Sequence, residues 1–409
     1  MAVVTLIVLL GILLVAGYSK RNNRATIFDR KTYESKTTVA PGVTHTMEKY
    51  QSGFLHEAIH ILEIQLDIPN TKLELAIPNP LHSLKTTTSF AKENSTFGHR
   101  VIGAVNAAYY FENGYPANLI AKDNQIIHYG IIGERVESPT QRPVAFGLSK
   151  DGKALIDYFY TELSFAINGS HYPIDRINSD GTENKTVLYT PTLETTGAYG
   201  QYLEIIVKNS SQNTDRLHFG DSFTGRISEI KEHSQTGSTI IPDDGFVLSI
   251  HKKELAAQLG TLPADTAIEI HVSIDEKWQD TQYMLAAGPL LVKEGKEEIS
   301  MPMNTSFVKT RQPRTAAAID STGKRVMLVT VDGRQRGYSN GVSLHELAAY
   351  LISKGAVAAI NLDGGGSTTF TVQNPSTEQL ELVNRPSEGC ERKVSAILQA
   401  VRTSNENTK

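Results

Sequence analysis

Two aspartates hold the positions from which this chain could do chemistry. Asp332 follows the apolar run 326–331, and Asp363 follows the apolar run 357–362. Each is followed at once by glycine: Gly333 after the first, Gly364-Gly365-Gly366 and then Ser367 after the second. A carboxylate at the end of a buried strand stands where α/β sheets usually bind ligands. Three consecutive glycines cost backbone entropy and are kept where a positive φ or a close backbone approach is needed. Such a turn can aim successive N–H groups at an anionic oxygen. A capped tight turn is the bland reading of the same residues.

The elements around these aspartates decide whether they meet. Arg314 opens the run 314–319, Ser321-Thr322-Gly323-Lys324 reads as a turn, and the return strand ends at Asp332. In an antiparallel hairpin the start of one strand lies beside the end of the other, which places Arg314 next to Asp332. A glycine-bearing loop (Gly337, Gly341) then leads to a helix with Leu344, Leu347, Ala348, Leu351 and Ile352 on one face. Gly355 ends that helix, and the strand to Asp363 follows. Strand, helix, strand with the two strands parallel puts Asp332 and Asp363 on one edge of one sheet.

An arginine fork beside bare amides suits a phosphate oxygen. Two carboxylates suit glycoside cleavage through an oxocarbenium-like transition state. Together they point to a sugar joined through phosphate, with Asp332 and Asp363 catalytic and Arg314 on the phosphate. Glu346 is a third catalytic candidate, although Ser343-x-x-Glu346 is a capping box that explains it without catalysis. Asn106 interrupts a buried strand at 101–111, so its amide must be satisfied by backbone or by ligand. Asn106, Thr315, Asn361 and Ser367 are expected to orient substrate. Hard cations such as Mg²⁺ or Ca²⁺ take carboxylate oxygens, but no ligand set is visible, so a divalent cofactor stays unassigned. His56-Glu57-Ala58-Ile59-His60 has zinc-protease spacing, yet the apolar residues around it alternate with a period near two. On a strand the two histidines would stand about 13 Å apart, too far for one metal.

The 409 residues suffice for two to three domains, or for one large domain with an insertion. A net charge of −4 gives no reason to expect nucleic acid, and one cysteine, Cys390, excludes an intrachain disulfide framework. Residues 1–21 read as a signal or membrane-anchor segment. The basic residues after its apolar run argue for a cytoplasmic body by the positive-inside rule, against the export favoured by the remainder of the chain. The expected location is extracytoplasmic, secreted or anchored at the cell envelope. Residues 22–52 read as a polar linker, and 53–409 as the folded domain with a β-rich middle insertion at about 153–282. The fold class expected is α+β, with mixed β-sheets, few helices and a C-terminal strand-strand-helix-strand core.

The chain resembles the phosphodiester glycosidase family, in its bacterial, exopolysaccharide-related branch. The segments that carry the likeness are Asn106-Ala107-Ala108-Tyr109-Tyr110, Gly288-Pro289-Leu290-Leu291-Val292, Arg314-Thr315-Ala316, Asp332-Gly333-Arg334, Leu344-His345-Glu346-Leu347-Ala348 and Asn361-Leu362-Asp363-Gly364-Gly365-Gly366-Ser367. Asn384-Arg385-Pro386-Ser387 with Glu391-Arg392 completes it. The resemblance implies hydrolysis of a sugar-1-phosphodiester that leaves a phosphomonoester, and adds Arg334, Glu391 and Arg392 to the binding residues. The partner expected is therefore a glycan or sugar-phosphate diester of the envelope, with membrane contact through an uncleaved N-terminus. A non-catalytic module that binds phosphorylated wall polymer is the alternative.

Overall fold

The computed structural model describes residues 27–130, 142–179, 184–197, 200–235 and 237–404. The expected leader at 1–21 lies outside them. No helix among the described residues is long and apolar enough to cross a membrane.

The sheet that carries the site has eight strands, in the order Lys31–Ala40, Val43–Ser52, Leu55–Gln65, Arg325–Val331, Arg314–Ile319, Ala358–Asn361, Leu290–Lys293, Lys296–Glu297. Every neighbouring pair in it is antiparallel. Arg314 sits opposite Val331, as the hairpin reading requires. The strands that lead to Asp332 and Asp363 run the same way, but Arg314–Ile319 lies between them and pairs with both. They are therefore one strand further apart than adjacent strands, roughly 10 Å between axes.

Strand alternation gives this sheet two apolar faces. Ala317, Ile319, Leu328 and Ile360 point to a core shared with a second sheet through Val105, Phe370 and Leu398. Ala316, Ala318, Val329 and Ala359 face the helix Leu344–Ser353 through Leu344, Leu347 and Leu351. The second sheet has five strands and includes His99–Asn106 and Phe370–Gln373, which pair Val105 with Phe370. Another five-stranded sheet packs on the same core and also faces outward onto a further eight-stranded sheet built from 161–274. The result is α+β and mainly β. Among the described residues the strand pairs are antiparallel except Arg176–Ile177 with Thr186–Tyr189.

The structure corrects the linker reading of 22–52. Lys31–Ala40 and Val43–Ser52 form a hairpin that extends the main sheet. The second strand alternates with Thr46, Glu48 and Tyr50 inward on one face, a weak signal because two of those three side chains are polar. Glu48, 1% exposed, is the reason a polar strand can pack here. Its carboxylate accepts from Lys31 Nζ at 2.7 Å, Lys354 Nζ at 2.6 Å, the Tyr50 hydroxyl at 2.9 Å and the Tyr350 hydroxyl at 2.5 Å. Burial alone would raise this carboxyl, but the two ammoniums and two hydroxyls overcome it and bring it down to about 2.

Removing one member of such a cluster strands the others. Glu48→Ala is expected to cost about 2–3 kcal/mol, low for a buried pair because both lysines keep contact with water. A carboxyl whose folded value lies below its ordinary value of 4.5 stabilises the fold above that pH, and its contribution disappears as pH falls from 4.5 towards 2. Urea unfolding at pH 7 and pH 3 checks this: the gap between native and variant should shrink at the lower pH.

Candidate functional site

A cavity of about 380 Å³ opens at the edge where these strands end. Tyr109, Phe307, Gln312, Arg314, Arg334, Asp363, Gly364, Gly365, Gly366 and Arg392 are among the residues that line it. One carboxylate and three guanidiniums thus share a small concave space.

Asp363 is the only acidic residue in that lining. Burial pushes its carboxyl up to about 7, while the Ser367 hydroxyl, the Arg392 charge and the Gly364 amide act the other way. Asp363 Oδ2 and Ser367 Oγ nevertheless lack an aligned hydrogen-bond partner. The side chain remains partly open to the cavity. A carboxyl held near pH 7 is poised to exchange a proton there, although Oδ2 itself is buried.

Arg314 is 3% exposed and has no carboxylate partner among the described residues. Its Nε donates to the Val342 carbonyl at 3.2 Å, and Nη2 donates to those of Phe307 at 2.8 Å and Thr310 at 3.0 Å. The guanidinium also lies 4.9 Å from the Phe307 ring centroid. Burial lowers it to about 10, still fully charged at neutral pH. Arg334, at a left-handed φ of 61°, holds Gln312 Oε1 at 2.6 Å and likewise has no acidic partner among the described residues. Arg392 differs, because Glu388 clamps it with both oxygens. Two uncompensated guanidiniums favour an anion over a bare Mg²⁺ or Ca²⁺ ion.

The glycine turn forms a wall of the cavity as a short 3₁₀ turn, Gly365–Ser367. Gly365 has φ +61°, and a Cβ on Gly366 would run into Arg392 Nη2 and Glu388 Oε1. The expected row of bare amides is only partly realised, since Gly365 N–H is bonded to the Pro313 carbonyl at 2.9 Å. Asn106 fastens the turn to the sheets. Its Nδ2 donates to the Asp363 carbonyl at 2.5 Å, and its Oδ1 accepts from Thr315 Oγ1 at 2.9 Å and Thr369 N–H at 3.0 Å. Asn361 Nδ2 donates to the Tyr109 hydroxyl at 2.7 Å and to the Gly288 carbonyl at 3.2 Å. Asn106, Thr315 and Asn361 are buried and position the site from beneath.

Besides Asn106, Thr315, Asn361 and Ser367, three more expected residues stand outside the cavity lining. Asp332 is 1% exposed, and both its oxygens are engaged: Asn384 Nδ2 at 2.8 Å, Arg385 N–H at 2.9 Å and the Tyr338 hydroxyl at 3.0 Å. Burial raises its carboxyl against those donors. Glu346 completes the capping box with Ser343 and is clamped by Arg311, which together outweigh burial and keep it below the usual carboxylate range. Glu391 accepts from Thr88 N–H at 2.9 Å at the start of the helix Thr87–Asn94. In the H-E-x-x-H segment, all of it on the strand Leu55–Gln65, Glu57 instead holds Gly341 N–H at 2.9 Å, and His60 pairs with His45 at 3.1 Å. Among the described residues no group of three or more His, Cys, Asp or Glu could hold a metal. Tyr109 belongs to the Asn106–Tyr110 segment that carries the family likeness, whereas Phe307, Thr310 and Gln312 lie in a segment whose sequence has no periodicity to mark them.

Residues 222–400 match the model of the family described as phosphodiester glycosidase. A bovine N-acetylglucosamine-1-phosphodiester alpha-N-acetylglucosaminidase is 36% identical over 99 residues, which cover 22% of this chain and 17% of the bovine protein. The match thus spans less than a fifth of that relative's length. Among solved structures, a hypothetical protein from Synechocystis superposes with a TM-score of 0.69 at 19% identity, over 91% of this chain and 64% of the other. A protein of Burkholderia pseudomallei, described as a candidate exported protein, gives 0.63 at 16% identity, over 93% and 98%. At those identities the likeness is one of fold.

Asn106→Ala would leave the Thr369 amide and the Thr315 hydroxyl without their acceptor and the Asp363 carbonyl without its donor. It is expected to cost about 2–3 kcal/mol. Asn106→Asp should cost at least as much, because an ionised oxygen would face the Asp363 carbonyl. Urea midpoints of the two variants against the native chain check both.

Proposed function

We propose, from the chain's resemblance to the phosphodiester glycosidase family and from the cavity at the sheet edge, that the protein hydrolyses a sugar-1-phosphodiester and leaves a phosphomonoester. The observation that carries this reading is a buried, acid-free Arg314 facing the same space as the half-neutral Asp363. Arg314 and Arg334 would bind the phosphodiester oxygens and take up the charge that grows on phosphate as the bond to C1 breaks. A phosphate is already a good leaving group, so no strong acid is needed on that side. Asp363 would act on the sugar: it removes a proton from water as the water oxygen bonds to C1, and the C1–O bond to phosphate gives up its electron pair to the leaving phosphate. Tyr109 and the glycine turn bound the room left for the sugar. Asp332 holds the loop that carries Arg334 and takes no part in the bond changes. The substrate would be a glycan of the envelope or an exopolysaccharide met outside the cytoplasm.

The same cavity on a non-catalytic module would bind phosphorylated polymer without turnover. Asp363→Asn separates the two readings. With an N-acetylglucosamine-1-phosphodiester as substrate and released reducing sugar as readout, the variant should lose about three orders of magnitude in kcat while still binding a non-hydrolysable analogue. A native protein that binds the analogue and releases no sugar supports the binding module. Because Asp363 titrates at about 7 and acts here as a base, kcat/KM should rise as pH rises through about 7 and then level. A rate that falls through that region would make Asp363 the acid instead. Arg314→Met should weaken analogue binding by about a hundredfold, as expected when a charged hydrogen-bonding partner is lost from a buried site.

A further inference from the structure

The glutamate of the H-E-x-x-H segment has no part in the chemistry above, and its surroundings are unfavourable to it. Glu57 is 1% exposed. It lies on the strand Leu55–Gln65 opposite Tyr50, on the face that Ile59 and Ile61 turn towards the helix Leu344–Ser353. An apolar side chain would suit that face, whereas a carboxyl taken out of water needs partners. Among the described residues Glu57 forms no ion pair, and Arg311, the cation whose charge reaches it, is clamped to Glu346. Burial pushes the carboxyl up to about 8; Glu346 acts in the same direction, while the Ser339 hydroxyl, the Gly341 amide and Arg311 act the other way. At neutral pH the group is mostly the uncharged acid, and its Oε1 is buried without a partner.

What the other oxygen holds is specific. Oε2 accepts from the Gly341 N–H at 2.9 Å and lies 3.2 Å from Ser339 Oγ, whose proton has a nearer acceptor in the Asp332 carbonyl at 2.6 Å. Gly341, at φ +83°, packs so closely on the Gln312 backbone that a Cβ would collide with it. The next residue, Val342, exchanges two backbone hydrogen bonds with Gln312, and its carbonyl also accepts from Arg314 Nε at 3.2 Å. Two links therefore separate the Glu57 carboxyl from the buried guanidinium: one amide, and the carbonyl of the residue after it. The rest of the loop is held to the same strand without the Glu57 side chain. Asn340 N–H donates to the His56 carbonyl at 2.8 Å, His56 N–H to Asn340 Oδ1 at 2.9 Å, and Asp332 N–H to the Ala58 carbonyl at 3.0 Å.

We infer that Glu57 is a positioning residue for Arg314: its carboxyl fixes the Gly341 amide, and through it the Val342 carbonyl that holds the guanidinium at the cavity. Glu57 is not in the cavity lining and touches no substrate there. The inference rests on the reading that Arg314 binds the phosphodiester. Because the strand secures the loop by backbone bonds as well, loss of the carboxyl frees the Gly341–Val342 peptide and leaves the loop docked. The task needs an acceptor and no charge, so a neutral amide of the same shape can perform it.

The test is calorimetry on the full chain, with a phosphonate analogue of an N-acetylglucosamine-1-phosphodiester as the probe. Glu57→Met keeps the volume and removes the acceptor, and it should weaken binding by about tenfold. Glu57→Gln should stay within about twofold of the native chain. In the Arg314→Met background, adding Glu57→Met should change the affinity by less than about twofold, because the group it acts through is gone. A residue that only supports the fold would weaken both backgrounds alike. Glu48→Ala, which removes a buried carboxylate outside the cavity, should lower stability and leave the affinity unchanged. Thermal unfolding shows whether Glu57→Met is folded; if it is not, Ser339→Ala on the same loop replaces it and should weaken binding only while Arg314 is present. The inference is overturned if the folded variant binds as the native chain does, if Glu57→Gln loses as much as Glu57→Met, or if the losses add in the double variant. A native chain that binds no analogue, or an Arg314→Met variant that binds it as the native chain does, overturns the phosphate reading and this inference with it.

Discussion

A guanidinium buried with no carboxylate to answer it is the constraint on which this architecture turns. A charge taken out of water costs several kcal/mol even after relaxation, and the usual remedy is an acidic partner. Around Arg314 the remedy is three backbone carbonyls, from Val342, Phe307 and Thr310, with the Phe307 ring beneath. Carbonyl dipoles solvate the charge without neutralising it, so a positive potential persists in the cavity. That choice dictates much of the surrounding fold. The segment 306–310 must be held against the sheet edge, which the short helix Ser306–Lys309 does under its Thr305 cap. The loop that ends at Val342 must be held too, and its paired hydrogen bonds with Gln312 do so. An anion entering the cavity would complete what the protein leaves open.

The glycine turn obeys the same logic from the other side. Asp363 stands two residues beyond the end of its strand, and its own backbone carbonyl is fixed by Asn106, a residue more than two hundred and fifty positions earlier. Because Asn106 also bonds the Thr315 hydroxyl and the Thr369 amide, it joins the strand that begins at Arg314 to the turn that carries Asp363. The carboxylate and the guanidinium of the cavity are thereby set in relation to each other by one neutral amide. A charged residue in that place would have disturbed both.

Much of the frame could be read from the chain, and the reason is locality. The hairpin that brings Arg314 opposite Val331, the helix from Leu344 and the strand before Asp363 follow from periodicity, turn residues and caps within some fifty residues. What escaped the sequence is whatever depends on backbone or on distant partners. Phe307 and Thr310 matter through their carbonyls, which every residue possesses, so no side-chain pattern marks them. Asn384 and Arg385 reach Asp332 from fifty-two and fifty-three positions away. The N-terminal hairpin escaped because its packing is made by Glu48 between two lysines and two tyrosines. A buried carboxylate and a solvated one are spelled alike.

That last ambiguity also explains why three carboxylates with similar surroundings in sequence have such different properties in the fold. Asp332, Glu346 and Asp363 all lie near strand ends or helix starts, and each is at least partly buried. Asp332 has three donors on its two oxygens, and Glu346 has Arg311 and the Ser343 cap. Lone pairs committed in this way stabilise structure and are not available to an incoming water or sugar. Of the three, only Asp363 has an oxygen with no aligned donor, and burial that outweighs the Ser367 hydroxyl, the Arg392 charge and the Gly364 amide carries its carboxyl up towards neutral pH. The feature that would weaken it as a structural element is the one that would equip it for proton transfer. The proposed reactivity at this edge thus rests on where the fold withholds hydrogen bonds, and residue type alone does not reveal that.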